Sequence, residues 1–210
     1  MRVGGLWLSL FILLSVASAT PAGRHADHAA ALWSAHVAGA ARPDLMVIWV
    51  LGAPLAAVAL LLLFTADSRY TWRQRWAAWG LLAAAAAVEL LCKHLGIGGN
   101  VAAVAVPAMP HLAPRLAALE RHLAVPVIGR LSALASQVTL RGTFPSGHVL
   151  RLTLAAGYAL ARPGWMLPVA VAVAAGFCVT ATGGHSATDA LGGAALALAG
   201  LAVAGRLGGR

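Results

Sequence analysis

The sequence predicts an all-α integral membrane protein, a six-helix transmembrane bundle with short interfacial helices in one long outer loop. Three observations predict it. Of the 210 residues, 60% are hydrophobic and 10% charged, with a mean hydropathy of +0.82, whereas soluble domains carry about 25% charge. Apolar runs of about 20 residues recur, the length that crosses a hydrocarbon core. Arginines collect in short loops between certain runs, as they do in cytoplasmic loops. The excess of 15 Lys+Arg over 6 Asp+Glu therefore reads as topology and as contact with anionic headgroups. No nucleic-acid partner is expected, because the aromatics are few and not interleaved with basic residues. Cys92 and Cys178 each lie inside an apolar run, where a free thiol behaves as a small hydrophobe and no disulfide is expected.

Taken in order, residues 1–20 have a charged start, a short apolar core and a small-residue end, the pattern of a signal-anchor or first transmembrane helix. Residues 21–44 are more polar and form an outer loop or interfacial helix, with His25, His28 and His36 read as solvated; His28 and His36 are eight residues apart, too far to share one ion unaided. Residues 45–210 are the membrane core. Its spans are 45–66, 77–95, 148–161, 166–182 and a last one that is opened by the stretch Gly183 to Asp189 and ends near Gly205. The arginine-rich loop from Asp67 to Trp76 is cytoplasmic by the positive-inside rule, and so is the basic tail from Arg206. Residues 96–143 make the long outer loop, with interfacial helices expected at 116–123 and 128–138.

This topology brings Lys93, His148 and His185 to one outer surface. Phe144-Pro145-Ser146-Gly147-His148 precedes an apolar run, so a hydroxyl and free backbone N–H groups stand at a helix N-terminus suited to an oxyanion. His185 and Asp189 are spaced i,i+4, so a helix starting near His185 lets the carboxylate orient one ring nitrogen and leaves the other as a nucleophile. His148 is placed to protonate a leaving oxygen. Lys93, Ser146 and Gly147 are the expected phosphate ligands. Glu89 stands one turn before Lys93, either neutralising it or steadying it as an anion ligand. These parts describe phosphoryl transfer through a phosphohistidine, with no metal or other cofactor expected.

The same residues resemble the type 2 phosphatidic acid phosphatase (PAP2) superfamily of membrane lipid phosphatases. Its pattern is Lys-x6-Arg-Pro, Pro-Ser-Gly-His and Ser-Arg-x5-His-x3-Asp, matched here by Lys93, by Pro145 to His148 and by His185 with Asp189. The resemblance implies a six-helix core, His185 as nucleophile and His148 as general acid. Two arginines of the pattern are missing: Asn100-Val101 stands for Arg-Pro, and Cys178-Val179 for Ser-Arg. Losing one transition-state donor of this kind costs about 3 kcal/mol, about a hundredfold in rate. Arg151, one turn after His148 on the same face, is either the replacement or an ion pair with Glu89 or Asp189 inside the bundle. Arg141 is a second candidate phosphate ligand.

The expected function is hydrolysis of a lipid phosphate or diphosphate at the outer face of a bacterial-type inner membrane, with the site toward the periplasm or exterior. The expected partners are that substrate and membrane lipids. A catalytically weak or inactive relative that binds lipid phosphates is the alternative, motivated by the two missing guanidiniums.

Overall fold

The computed structural model of the protein describes residues 2–98, 142–160 and 164–206, and among these the regular structure is helical, with no strand. The elements are α1 (Arg2–Ala19), α2 (Pro21–Ala38), a 3-10 turn (Gly39–Ala41), α3 (Arg42–Leu45), α4 (Val47–Leu51), α5 (Pro54–Ala66), α6 (Trp72–His94), α7 (Gly147–Ala159), α8 (Met166–Ala181) and α9 (Ala187–Val203). The all-α class expected from composition is therefore the observed one. The interfacial helices expected at 116–123 and 128–138 fall outside the described residues.

The first apolar segment is the helix α1, and Thr20 ends it sharply. Its hydroxyl accepts the Gly23 N–H at 3.0 Å, Pro21 fills the first position of α2, and the chain bends by 94°. The polar segment that follows is a packed helix: α2 lies on α8 and α9, with His25, His28 and His36 exposed. Asp27 is the exception on this helix. Its buried carboxylate accepts the Thr188 N–H at 2.8 Å and so helps cap α9.

The expected single span 45–66 is broken. Pro54 has no N–H to continue a helix and forces Ala53 into an extended conformation (φ −61, ψ 149), so α4 stops at Leu51 and α5 restarts at Pro54. Among the described helices, α6 alone is long and apolar enough to cross a membrane by itself. The segments 3–19 and 21–41 reach that measure only as a bent pair, and α8 and α9 are apolar but shorter.

At the centre lies α7, which is apolar nearly all round and therefore buried nearly all round. It packs against α5, α6, α8 and α9. Small residues let these helices close: α9 is rich in Ala and Gly, and α1 lies along it. The far end of α7 is held by Arg206, the first residue of the basic tail, which is 3% exposed and donates to the carbonyls of Gly157 (3.0 Å) and Leu160 (2.6 Å). Its guanidinium lies over the rings of Tyr70 and Tyr158 at 5.4 and 5.1 Å. Carbonyls at the end of a helix lack intrahelical partners, and Arg206 satisfies these together with the Tyr70 hydroxyl, which also donates to the Leu160 carbonyl at 2.8 Å.

Candidate active site

Three separated segments meet at the N-terminal end of α7, laced by backbone hydrogen bonds. Gly142 donates to the Lys93 carbonyl (3.0 Å), Phe144 to Ile97 (3.2 Å) and Ser146 to Asp189 (2.8 Å). The chain leaving α6 is thus tied to the Pro-Ser-Gly-His turn, and that turn to the start of α9. Close backbone approach is possible because Gly193 lacks a side chain: a Cβ there would stand 2.3 Å from the Ser146 carbonyl oxygen. Phe144, fully buried beneath the turn, packs against Gly192 and Phe11.

The two histidines come together at this junction. Their ring centroids are 5.9 Å apart, with His148 in the first turn of α7 and His185 in the turn between α8 and α9. Asp189 Oδ2 lies 3.5 Å from His185 Nδ1. The last helix starts near His185, as the spacing requires. Ser186 is the N-cap, and Ser186 with Asp189 forms a capping box in which each accepts the other's backbone N–H, at 3.0 and 3.2 Å. The same Asp189 Oδ2 therefore serves the cap and faces His185 at ion-pair distance.

Polar atoms at this junction are conspicuously unpaired. Ser146 Oγ, His148 Nδ1, His185 Nδ1 and Asp189 Oδ1 are buried without a hydrogen-bond partner, and among the described residues only Thr153 Oγ1 joins them. Buried polar groups are paired in the great majority of proteins, so such a cluster marks a place built for a polar ligand. Ser146 was expected to offer its hydroxyl at the helix start. It does stand at the N-cap, but that hydroxyl makes no cap hydrogen bond.

Glu89, at the buried face of α6, organises the cations. Lys93 Nζ donates to Glu89 Oε1 at 2.7 Å, and Arg151 Nη1 to Glu89 Oε2 at 2.9 Å. Arg151 Nε donates to the Gly52 carbonyl at 2.8 Å. Of the two readings of Arg151, the ion pair with Glu89 is the one observed. The carboxylate also closes on the helix start, since a Cβ on Gly147 would stand 2.1 Å from Glu89 Oε1. An internal anion thus sits where the helix dipole is positive, the position expected for a substrate oxyanion. The triad keeps a net charge of about +1 by simple valence, and Lys93 and Arg151 are both near enough for their charges to act on His148.

One aromatic ring went unread in the sequence. Trp49, on the five-residue α4, stacks on His185 (centroids 5.7 Å, planes 4° apart) and meets His148 at 4.4 Å and 61°. The signal that finds it is the Gly52-Ala53-Pro54 break: irregular backbone inside an apolar run is tolerated where it borders a polar site. Position 179, where the family pattern has arginine, is a fully buried valine packed with Val149, Ala172 and Ala175. Arg141 and Asn100 lie outside the described residues. No protein-family model matches the chain, and neither the curated proteins nor the solved structures give a match.

Proposed function

We propose that the protein is an integral membrane phosphatase of the PAP2 type, metal-independent and acting on a lipid phosphate or diphosphate through a phosphohistidine. The observation that carries the reading is the pair of imidazoles from different helices, 5.9 Å apart, with Asp189 3.5 Å from one of them. In the reaction, Nε2 of His185 attacks phosphorus and the bond from phosphorus to the leaving oxygen breaks. The leaving oxygen takes a proton from His148, while Asp189 stabilises the charged His185 ring. His148, now neutral, removes a proton from water as the water oxygen bonds to phosphorus, and the N–P bond breaks to return His185 and release phosphate. Lys93 and Arg151 each spend only part of their donor set on Glu89, since an ammonium has three N–H and a guanidinium five, and with the unpartnered Ser146 hydroxyl they are the phosphate ligands of this reading, while Glu89 stands against Gly147.

A membrane setting is supported by the exterior, which exposes Leu6, Leu13, Leu63, Leu91, Val173 and Val203, while Glu89, Ser146 and Asp189 are buried. A lipid substrate is supported by an apolar groove of about 460 Å³ between α1, α2, α8 and α9, whose wall includes Trp7, Trp33, Phe177 and Ala187, two residues beyond His185. Six crossings with the site at the outer, periplasmic or exterior face place the Asp67 to Thr71 loop inside. In that loop the Arg69 hydrogen bonds hold the Asp67 carboxyl below its ordinary value, so it stays ionised and offsets one arginine, leaving Arg73 and Arg75 as the topological charges.

The neutralisation of two cations by Glu89 favours, as the second reading, a weak or inactive lipid-phosphate binder. One experiment separates the two. Detergent-purified protein and its His185→Ala variant are assayed for phosphate release from phosphatidate, phosphatidylglycerol phosphate and undecaprenyl diphosphate. His185-dependent release from any one supports the phosphatase; release from none, with binding unaltered in His185→Ala, supports the binder.

A further inference from the structure

We propose that Trp49 is a positioning residue for the histidine pair, acting through the flat face of its indole; the proposal rests on the phosphatase reading of the site. His148 and His185 belong to different elements; the Trp49 main chain bears on the His148 ring, whereas the bonds of the His185 backbone fix where its Cα stands but not how its ring turns. Both Nδ1 atoms are buried without a hydrogen-bond partner, so hydrogen bonding at that nitrogen does not set either ring plane. What the two rings share is Trp49. Its indole lies parallel to His185, at 4°, and meets the ring of His148 at 61°. Offset-parallel and edge-to-face arrangements are those the aromatic quadrupole favours.

The indole is itself held at its nitrogen and against its face. Its Nε1–H donates to Thr182 Oγ1 at 3.0 Å, and Thr182 in turn donates to the Cys178 carbonyl at 2.7 Å, so the indole is tied to the end of α8 that leads to His185. Gly184 supplies the space beneath it, since a Cβ there would stand 1.9 Å from the indole. On the other side Gly52, three residues after Trp49, lies against His148, where a Cβ would come within 2.8 Å of that residue's own Cβ. Trp49 therefore couples the α8–α9 turn to the first turn of α7. The consequence is orientation: with the His185 plane held, one edge of the ring stays toward Asp189 and the opposite edge toward the phosphoryl position. Ring orientation of this kind is worth about a hundredfold in rate when it is lost.

The test compares Trp49→Phe with Trp49→Leu. Phenylalanine keeps a flat face, whereas leucine fills space without one, so a role limited to packing is rescued by both. All variants are purified in detergent and compared for monodispersity and helical content. The first readout is carbethoxylation of His185 by diethyl pyrocarbonate, measured on its peptide against exposed His36. Trp49→Leu is expected to raise the His185 rate about tenfold and Trp49→Phe to leave it within about threefold of wild type. The second is phosphate release from the lipid phosphate that wild type hydrolyses. There kcat falls about a hundredfold in Trp49→Leu with KM little changed, and Trp49→Phe recovers most of it. Equal behaviour of the Phe and Leu variants in the labelling overturns the proposal. Absence of His185-dependent release from wild type defeats the phosphatase reading instead, and the labelling order then decides the role of Trp49 alone.

Discussion

At the residue scale the decisive group is Glu89, a carboxylate 5% exposed that holds both Lys93 and Arg151. Breaking a buried ion pair costs more than never having made it, because the partner stays behind uncompensated. The two sides of this triad are unequal. Glu89→Gln leaves two buried cations without an anion and is expected to cost about 3–5 kcal/mol. Arg151→Gln leaves Lys93 opposite Glu89, a neutral pair, and is expected to cost clearly less. Thermal unfolding of the two variants in the same detergent checks the order, and equal losses would contradict the shared carboxylate. Arg151 is thus a cation fastened to Glu89 and the Gly52 carbonyl rather than a free substitute for the missing arginines. Its contribution to a phosphate is its charge and its remaining donors.

The elements turn this chemistry into a site through α7, which carries the site at one end and a structural clasp at the other. At the site end, Gly193 of α9 rides on the Ser146 carbonyl, a backbone atom that cannot swing aside. Gly193→Ala is expected to cost about 1–3 kcal/mol and to abolish His185-dependent phosphate release, because α9 must move away from the turn that carries His148. Gly157→Ala is the matched control. Its new Cβ meets the Leu201 side chain, which can change rotamer, so the loss should be smaller and activity retained. At the clasp end, Arg206→Gln removes the cation between Tyr70 and Tyr158 and its hydrogen bonds to the Gly157 and Leu160 carbonyls, of which Leu160 keeps the Tyr70 hydroxyl. The substitution is expected to cost about 2–4 kcal/mol with KM unchanged, since the partners Gly157 and Leu160 stand about 14 and 18 Å along the chain from His148. Denaturation curves and steady-state kinetics on the same preparations check both statements.

For the whole molecule, the proposed orientation follows from the distribution of charge between the two ends of the bundle. The site end exposes no run of arginines among the described residues, while the opposite end carries Arg69, Arg73 and Arg75 in and beside one short loop. With the site outside, Ser68, exposed at the tip of that loop, is cytoplasmic. A Ser68→Cys variant in intact spheroplasts is therefore expected to resist a membrane-impermeant maleimide and to react after permeabilisation. Labelling before permeabilisation would invert the topology and put the histidines on the cytoplasmic side.

What the sequence determined by itself is what local order encodes. Apolar runs specify the helices; the i,i+4 pair of Glu89 and Lys93 forms because one turn of helix places those side chains together. The Pro-Ser-Gly-His turn, His185 and Asp189 were legible for the same reason, as short patterns at helix starts. The partners that complete the site were not, because each is distant along the chain. Arg151 meets Glu89 across 62 residues and Gly52 across 99; Trp49 reaches Thr182 across 133, and Asp27 reaches Thr188 across 161. Periodicity says which face of a helix is apolar but not which neighbour that face meets. The tertiary structure decided that two cations share one carboxylate, that an indole spans two imidazoles and that Arg206 turns inward, since each of these is a choice among burial partners that packing alone resolves.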